Sequence, residues 1–261
     1  QVTDTISIDS GMTTSGNEIE KTTVTYKSVT GDADSASITL GGGHKDAIIA
    51  GIETLSVTVD DFEGTITAED AETVTITSGA TSTSKASIVK DLGQSTADLA
   101  TLNLAGSGEA LTVGSGTAID FAKSGVVNIT NTGTTTLTLA DIASATQSLT
   151  VTGAGGKDVI DITKVATVKE VTVNTNDGDD TVTIKGADVI VNTGAGDDTL
   201  VVSTWSSLTK TDTIDLGDGT KDIVSSVEVT IDADDNKTFG YAKNAEILKL
   251  TKADSHYIVD M

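Results

Sequence analysis

Apolar and polar residues alternate with a period of two in short runs along the whole chain. The runs include Ile52-Glu-Thr-Leu-Ser-Val-Thr-Val59, Ala71-Glu-Thr-Val-Thr-Ile76, Leu99-Ala-Thr-Leu-Asn-Leu104 and Val126-Val-Asn-Ile129. Further on come Gln147-Ser-Leu-Thr-Val151, Val168-Lys-Glu-Val-Thr-Val173, Val189-Ile-Val191, Val227-Glu-Val-Thr-Ile231 and Ala245-Glu-Ile-Leu-Lys-Leu250. This period, with β-branched residues at most positions, predicts strands. Many runs carry an acidic or polar residue just before the apolar core. Gly, Asp, Asn and Ser, the turn formers, sit between them. Helix is expected only as short turns, at 119–123 and 139–145.

With Leu55, Val74, Leu102, Val127, Leu149, Val171 and Val189 as markers, the steps between runs are 19, 28, 25, 22, 22 and 18 residues. One strand phrase per step of about 20 residues is the signature of a solenoid. The expectation is therefore an all-β chain folded as a parallel β-solenoid (β-helix or β-roll), with inward Val, Ile and Leu and outward Thr. Absence of Pro fits, because a ladder uses every strand N–H. An antiparallel sandwich also repeats short strands and turns. The irregular step favours the solenoid, most strongly from residue 151. Three regions are read: a Thr-rich irregular β-solenoid over 1–150, a β-roll over 151–230 and a C-terminal strand or cap region over 231–261.

Composition narrows the functional classes. Aromatics make up 3% of the 261 residues, so aliphatic side chains must fill the core. There is no Cys, which excludes disulfides and zinc–thiolate sites. There is no Arg, and 16 Lys face 39 Asp and Glu for a net charge of −23, a poor match for nucleic acid. No apolar run approaches the ~20 residues of a membrane helix. With His44 and His256 as the only histidines, His-centred catalysis has little to work with, and an enzyme is not expected. Gln1 is no initiator and no Sec-type leader opens the chain, so a fragment or trimmed chain is expected.

The acidic residues are mostly Asp, and they cluster beside Gly in turns, where short carboxylates suit hard cations. The sharpest signal is Val173-Asn-Thr-Asn-Asp-Gly-Asp-Asp-Thr-Val-Thr-Ile184, repeated 18 residues on as Val191-Asn-Thr-Gly-Ala-Gly-Asp-Asp-Thr-Leu-Val-Val202. Related copies are Gly153-Ala-Gly-Gly-Lys-Asp-Val-Ile160, Gly217-Asp-Gly-Thr-Lys-Asp-Ile-Val224 and Gly41-Gly-Gly-His-Lys-Asp-Ala-Ile48. These segments resemble the RTX nonapeptide, Gly-Gly-x-Gly-x-Asp-x-U-x with U apolar. On that alignment Asp46, Asp158, Asp180, Asp198 and Asp222 hold the Asp position, and Ile48, Ile160, Val182, Leu200 and Val224 the apolar one. Gly156, Gly178 and Gly196 keep the fourth glycine, which His44 and Thr220 replace. Thr175 and Thr193 replace the first. The resemblance implies Ca²⁺ as the bound ion, held by turn carbonyls and the Asp carboxylates. Asp177, Gly178, Asp179, Gly194, Gly196, Asp197 and Asp218 join Asp46, Asp158, Asp180, Asp198 and Asp222 as candidate site residues.

The whole combination of acidic, Thr- and Gly-rich, Pro- and Cys-free β-repeats resembles the surface-layer (S-layer) proteins of Gram-negative bacteria exported by type I secretion, as in Campylobacter and Caulobacter relatives. The resemblance implies a calcium-stabilised structural protein at the cell surface that assembles with copies of itself. Cell-surface lipopolysaccharide would be its anchor through a region outside this chain, without membrane insertion. It also implies a C-terminal export signal, which the stretch Tyr257-Ile-Val-Asp-Met261 does not display. The alternative is an RTX adhesin or biofilm protein that uses the rod as a spacer or ligand-binding arm. Thr-x-Thr phrases such as Thr73-Val-Thr75 and Thr136-Leu-Thr138 are read as ordinary strand Thr rather than an ice-binding face. Asp60-Asp61 and Asp234-Asp235 are read as solvated turns, and Trp205 and Tyr241 as local core or end caps.

Overall fold

The computed structural model of the chain describes residues 3–8, 22–25, 34–42, 45–68, 70–79, 86–93, 99–106, 109–116, 119–121, 125–131, 133–139, 148–165, 170–185, 188–204, 207–209, 211–226, 242–252 and 255–260. Successive strands go alternately to two sheets, one of 11 strands and one of 12. Pairing is parallel throughout, except that the last strand, Ser255–Asp260, runs antiparallel to Ile247–Lys252. This is the parallel β-solenoid expected from the sequence, in its two-sheet form. The sandwich is excluded, because its sheets pair antiparallel. No α-helix occurs among the described residues, and none long and apolar enough to cross a membrane. Of the short turns expected at 119–123 and 139–145, residues 119–121 and 139 are described and are not helical, Ile119 forming a parallel bridge with Leu139; the rest lie outside the described residues, as do His44, Trp205, Asp234, Asp235 and Tyr241.

The alternation of the sequence becomes alternation of burial. Thr54–Asp60 buries Leu55, Val57 and Val59, and Thr73–Ser78 buries Val74 and Ile76. Their intervening Ser and Thr face outward. The inward residues of both sheets form one continuous aliphatic core, with Phe62 and Phe121 filled in at the turns. Burying each such side chain stabilises by about 1.5–3 kcal/mol.

The strand markers pair as the spacing expects, with one exception. Leu55 faces Val74, Val74 faces Leu102, Leu102 faces Val127, Leu149 faces Val171 and Val171 faces Val189. Val127 pairs with Val151 rather than Leu149, which is itself opposite Gly125. A slip of two residues leaves every side chain on its own face.

Both sheets run unbroken across residue 150, since Gly125–Ile129 pairs with Ser148–Thr152 and that strand with Glu170–Asn174. What changes there is the chemistry of one flank.

Candidate metal centre

The turns that carry the chain from the first sheet into the second lie on that flank. At one register position of the second sheet, at or just before the strand start, a buried polar residue recurs over five coils. In Thr135–Thr138 it is Thr135, and in the following coils Asp158, Asp180, Asp198 and Asp222. These four carboxylates stack into a column. Asp180 Oδ1 accepts the N–H of Asp158 at 2.7 Å, Asp198 Oδ1 that of Asp180 at 2.8 Å, and Asp222 Oδ1 that of Asp198 at 2.7 Å. Glu246 Oε2 closes the series by accepting the N–H of Asp222 at 2.9 Å.

In Asp180, Asp198 and Asp222 one oxygen is thus satisfied by backbone, and the other is not. Oδ2 of Asp180, Asp198 and Asp222 is buried without a hydrogen-bond partner. Asp158 has both oxygens buried and without a well-formed hydrogen bond, since the N–H of Thr135 in the coil above goes to the Lys157 carbonyl at 2.9 Å. Buried oxygens of this kind are costly unless something fills the gap.

Burial pushes the Asp158 carboxyl up to about 7, with the charge of Asp180 adding to the rise; the Ala154 N–H and the Thr135 hydroxyl pull the other way. Burial likewise pushes Asp180 and Asp222 up to about 6 and raises Asp198. Neighbouring carboxylates contribute to all three rises.

The turns above the column are built from stacked glycines. Gly178 and Gly196 both have φ of +142°, and Gly194 has φ of +92°, a region in which side chains are strained. A Cβ on Gly196 would run into the carbonyl of Gly178, and one on Gly194 into that of Asn176. On Gly219 it would meet both carboxylate oxygens of Asp222 and the carbonyl of Gly196. Glycine here keeps backbone oxygens and carboxylates in close quarters.

Outside the column Asp177, Asp179, Asp197 and Asp218 are exposed. Asp179 Oδ1 accepts the N–H of Asp197 at 3.0 Å, and Asp197 Oδ1 accepts from the N–H and hydroxyl of Thr220 at 3.2 and 3.3 Å. Asp179, Asp197, Asp218 and Glu246 line an open groove of about 600 Å³.

All twelve sequence-derived candidates therefore fall on one flank, eleven of them in the coils from Asp158 to Asp222. The apolar partner is inward in four of the five aligned copies, as Ile160, Val182, Leu200 and Val224. Asp46 stands apart from the column. It is exposed, at the start of Asp46–Ala50, and its Oδ1 accepts the N–H of Thr65 at 3.3 Å. The strand there is one residue out of phase, so Ala47 and Ile49 point inward and Ile48 outward. Two features escaped the sequence reading. Glu246 ends the column, and its signal was the acidic residue opening the phrase Ala245–Leu250. Thr175 and Thr193, read as lost glycines, are buried and donate their hydroxyls to the carbonyls of Thr193 and Leu216 at 2.9 and 2.8 Å. They join consecutive coils side by side with the aspartates.

Among the described residues no three His, Asp or Glu side chains converge to hold a metal by themselves. The donors fit a hard cation in another way. Each turn offers one unpartnered carboxylate oxygen and a glycine-lined cradle of carbonyls, an all-oxygen set of the type Ca²⁺ accepts. Comparison of the chain with protein-family models, curated proteins and solved structures finds no match.

Proposed function

We propose that the chain is a structural, calcium-stabilised β-solenoid that works outside the cell by assembling with copies of itself into a surface layer. The observation that carries this reading is the column Asp158, Asp180, Asp198, Asp222, with unpartnered oxygens sealed beneath glycine turns. A chain of charge −23 repels itself when compact, and a buried carboxylate column concentrates that repulsion. Where calcium is scarce the fold is weakened and opens readily, which favours an exportable chain. Where it is plentiful, the ion adds a bond that the unfolded chain lacks, so binding energy becomes folding energy. Sites with Kd of ~10⁻⁴ to 10⁻³ M suit an extracellular module. At about 100 times Kd, each independent site stabilises by about 2.7 kcal/mol.

Asp158, Asp180, Asp198 and Asp222 would hold the ions with the glycine carbonyls between them, and Asp177, Asp179, Asp197 and Asp218 would raise the local negative potential that recruits them. The adhesin reading shares this switch and differs only in what the rod meets.

The test is circular dichroism and light scattering of the metal-free chain titrated with calcium, with magnesium as control. The expected result is a cooperative gain of β-structure with calcium alone, followed by growth of ordered assemblies. Replacing Asp180 and Asp198 together by Ala moves the midpoint to higher calcium. An unmoved midpoint would falsify the site. Soluble monomers that bind a glycan and never assemble favour the adhesin.

A further inference from the structure

Thr175 and Thr193 have no exposure, and they stand where the nonapeptide pattern has glycine. The row they form continues as Gly153 in the coil before and Leu216 in the coil after, so only the two middle coils carry a hydroxyl there. The same two coils have the most acidic turns. The residue before the column aspartate is Asp179 or Asp197 in them, and Lys157 or Lys221 in the outer two.

The direction of the hydroxyl bonds decides what these side chains can do. Thr175 Oγ1 lies 2.9 Å from the Thr193 carbonyl, and Thr193 Oγ1 lies 2.8 Å from the Leu216 carbonyl. A carbonyl has no proton, so each hydroxyl must donate, and it has only one proton to give. Each hydroxyl also lies beside the carboxyl of its own coil, Thr175 beside Asp180 and Thr193 beside Asp198. Toward that carboxyl it can turn only lone pairs. Oδ2 of both aspartates is buried and has no hydrogen-bond donor. Two oxygens that can only accept are thus held together out of water. Such a pair is costly unless a positive group stands between its members, and a cation that takes oxygen ligands removes the conflict.

We infer that Thr175 and Thr193 are cation ligands: in each of the two middle coils the threonine hydroxyl oxygen and Oδ2 of Asp180 or Asp198 hold the same ion. A neutral hydroxyl adds an oxygen without adding charge, which suits a turn where carboxylates already crowd. Thr135, near Asp158, is different. Its hydroxyl is bound to no carbonyl, so its proton is available to the carboxyl and no ion is needed between them. The inference rests on the calcium reading above and adds which side chains, and which coils, hold the ion most strongly.

The experiment is thermal melting of the full chain at pH 8, in chelator and in a series of calcium concentrations. Loss of a hydrogen bond alone lowers melting equally with and without calcium. Loss of a ligand moves the calcium concentration at which stabilisation sets in. Thr175→Val/Thr193→Val, which removes both hydroxyls at nearly constant shape, is expected to move that onset about tenfold higher. Thr175→Ser/Thr193→Ser keeps the hydroxyls and the onset of the parent. Should the double Val variant fold poorly, Thr175→Val and Thr193→Val singly make the same comparison with a smaller shift. Europium(III), a hard cation that enters oxygen sites and whose luminescence lifetime shortens with each bound water, gives a second readout. The Val pair is expected to hold europium with more bound water than the parent, and the Ser pair with the same. An onset and a water content both unmoved in the Val pair, while Asp180→Ala/Asp198→Ala moves the onset, overturn the inference and leave the calcium reading intact; the hydroxyls then only tie coils together or take a proton from the carboxyl. A parent that gains no stability from calcium overturns both.

Discussion

Asp180 uses its two oxygens differently. Oδ1 accepts the N–H of Asp158 across the coil interface, and Oδ2 is buried without a partner. The two roles separate by substitution. Asn keeps an acceptor for the Asp158 N–H and removes the charge. Ala removes both and strands a buried N–H, at a cost of about 1–3 kcal/mol. In chelator near pH 7, Asp180→Asn is therefore expected to melt above the parent and Asp180→Ala below it. In saturating calcium the order changes, and the parent melts highest because it alone has the full anionic donor set. Melting curves of the three chains under both conditions check this. An Asn variant that loses stability in chelator would mean that the charge of Asp180 is compensated within the fold.

At the scale of the turn, backbone conformation and neighbouring coils decide. Gly196 has φ of +142° and leaves no room for a Cβ above Gly178, whereas nothing lies within 4 Å of a Cβ on Gly155. Gly196→Ala should destabilise by about 1–3 kcal/mol or more through strain and displaced backbone, and Gly155→Ala should be near neutral; chemical denaturation of the two in calcium gives the comparison. The repeated strand–turn unit was legible in sequence because period-two alternation and Gly-Asp turns are local signals. Strand phase and pairing were less so. Leu149 and Val151 have the same parity, so periodicity could not choose between them as partners for Val127, and only the path through the intervening turn does. Asp46 shows the same limit. Its Asp-x-apolar spacing matches that of Asp158, yet its strand enters the sheet one residue out of phase. The column itself was visible as four aligned aspartates. Its ladder of N–H to carboxylate bonds, its closure by Glu246 and the buried hydroxyls of Thr175 and Thr193 depend on which groups stack between coils 18 to 24 residues apart, which no local motif encodes.

For the molecule as a whole, the excess of carboxylates and the buried column oppose folding by different routes, and pH and salt tell them apart. Exposed charges are screened by salt within about 8–10 Å at moderate ionic strength; the column, out of contact with solvent, is not. Raised carboxyls in the folded chain, from an ordinary 3.8 to about 6 for Asp180 and Asp222 and about 7 for Asp158, mean that the metal-free fold binds more protons than the unfolded chain between about pH 4 and pH 7. Stability follows the difference in bound protons, so it is greatest at the acid end of that window and falls as pH rises through the folded values. Calcium reverses the slope, because its ligands must be deprotonated and each ion displaces protons from the column. Melting temperature in chelator should therefore fall from pH 5 to pH 7.5 and remain so at high sodium chloride, while in calcium it rises over the same range. The separation between the two curves should shrink in Asp158→Asn, which removes the most strongly shifted group. A chelator curve that is flat or rising would show that the aspartate column holds no excess protons, and calcium would then have no buried charge to neutralise.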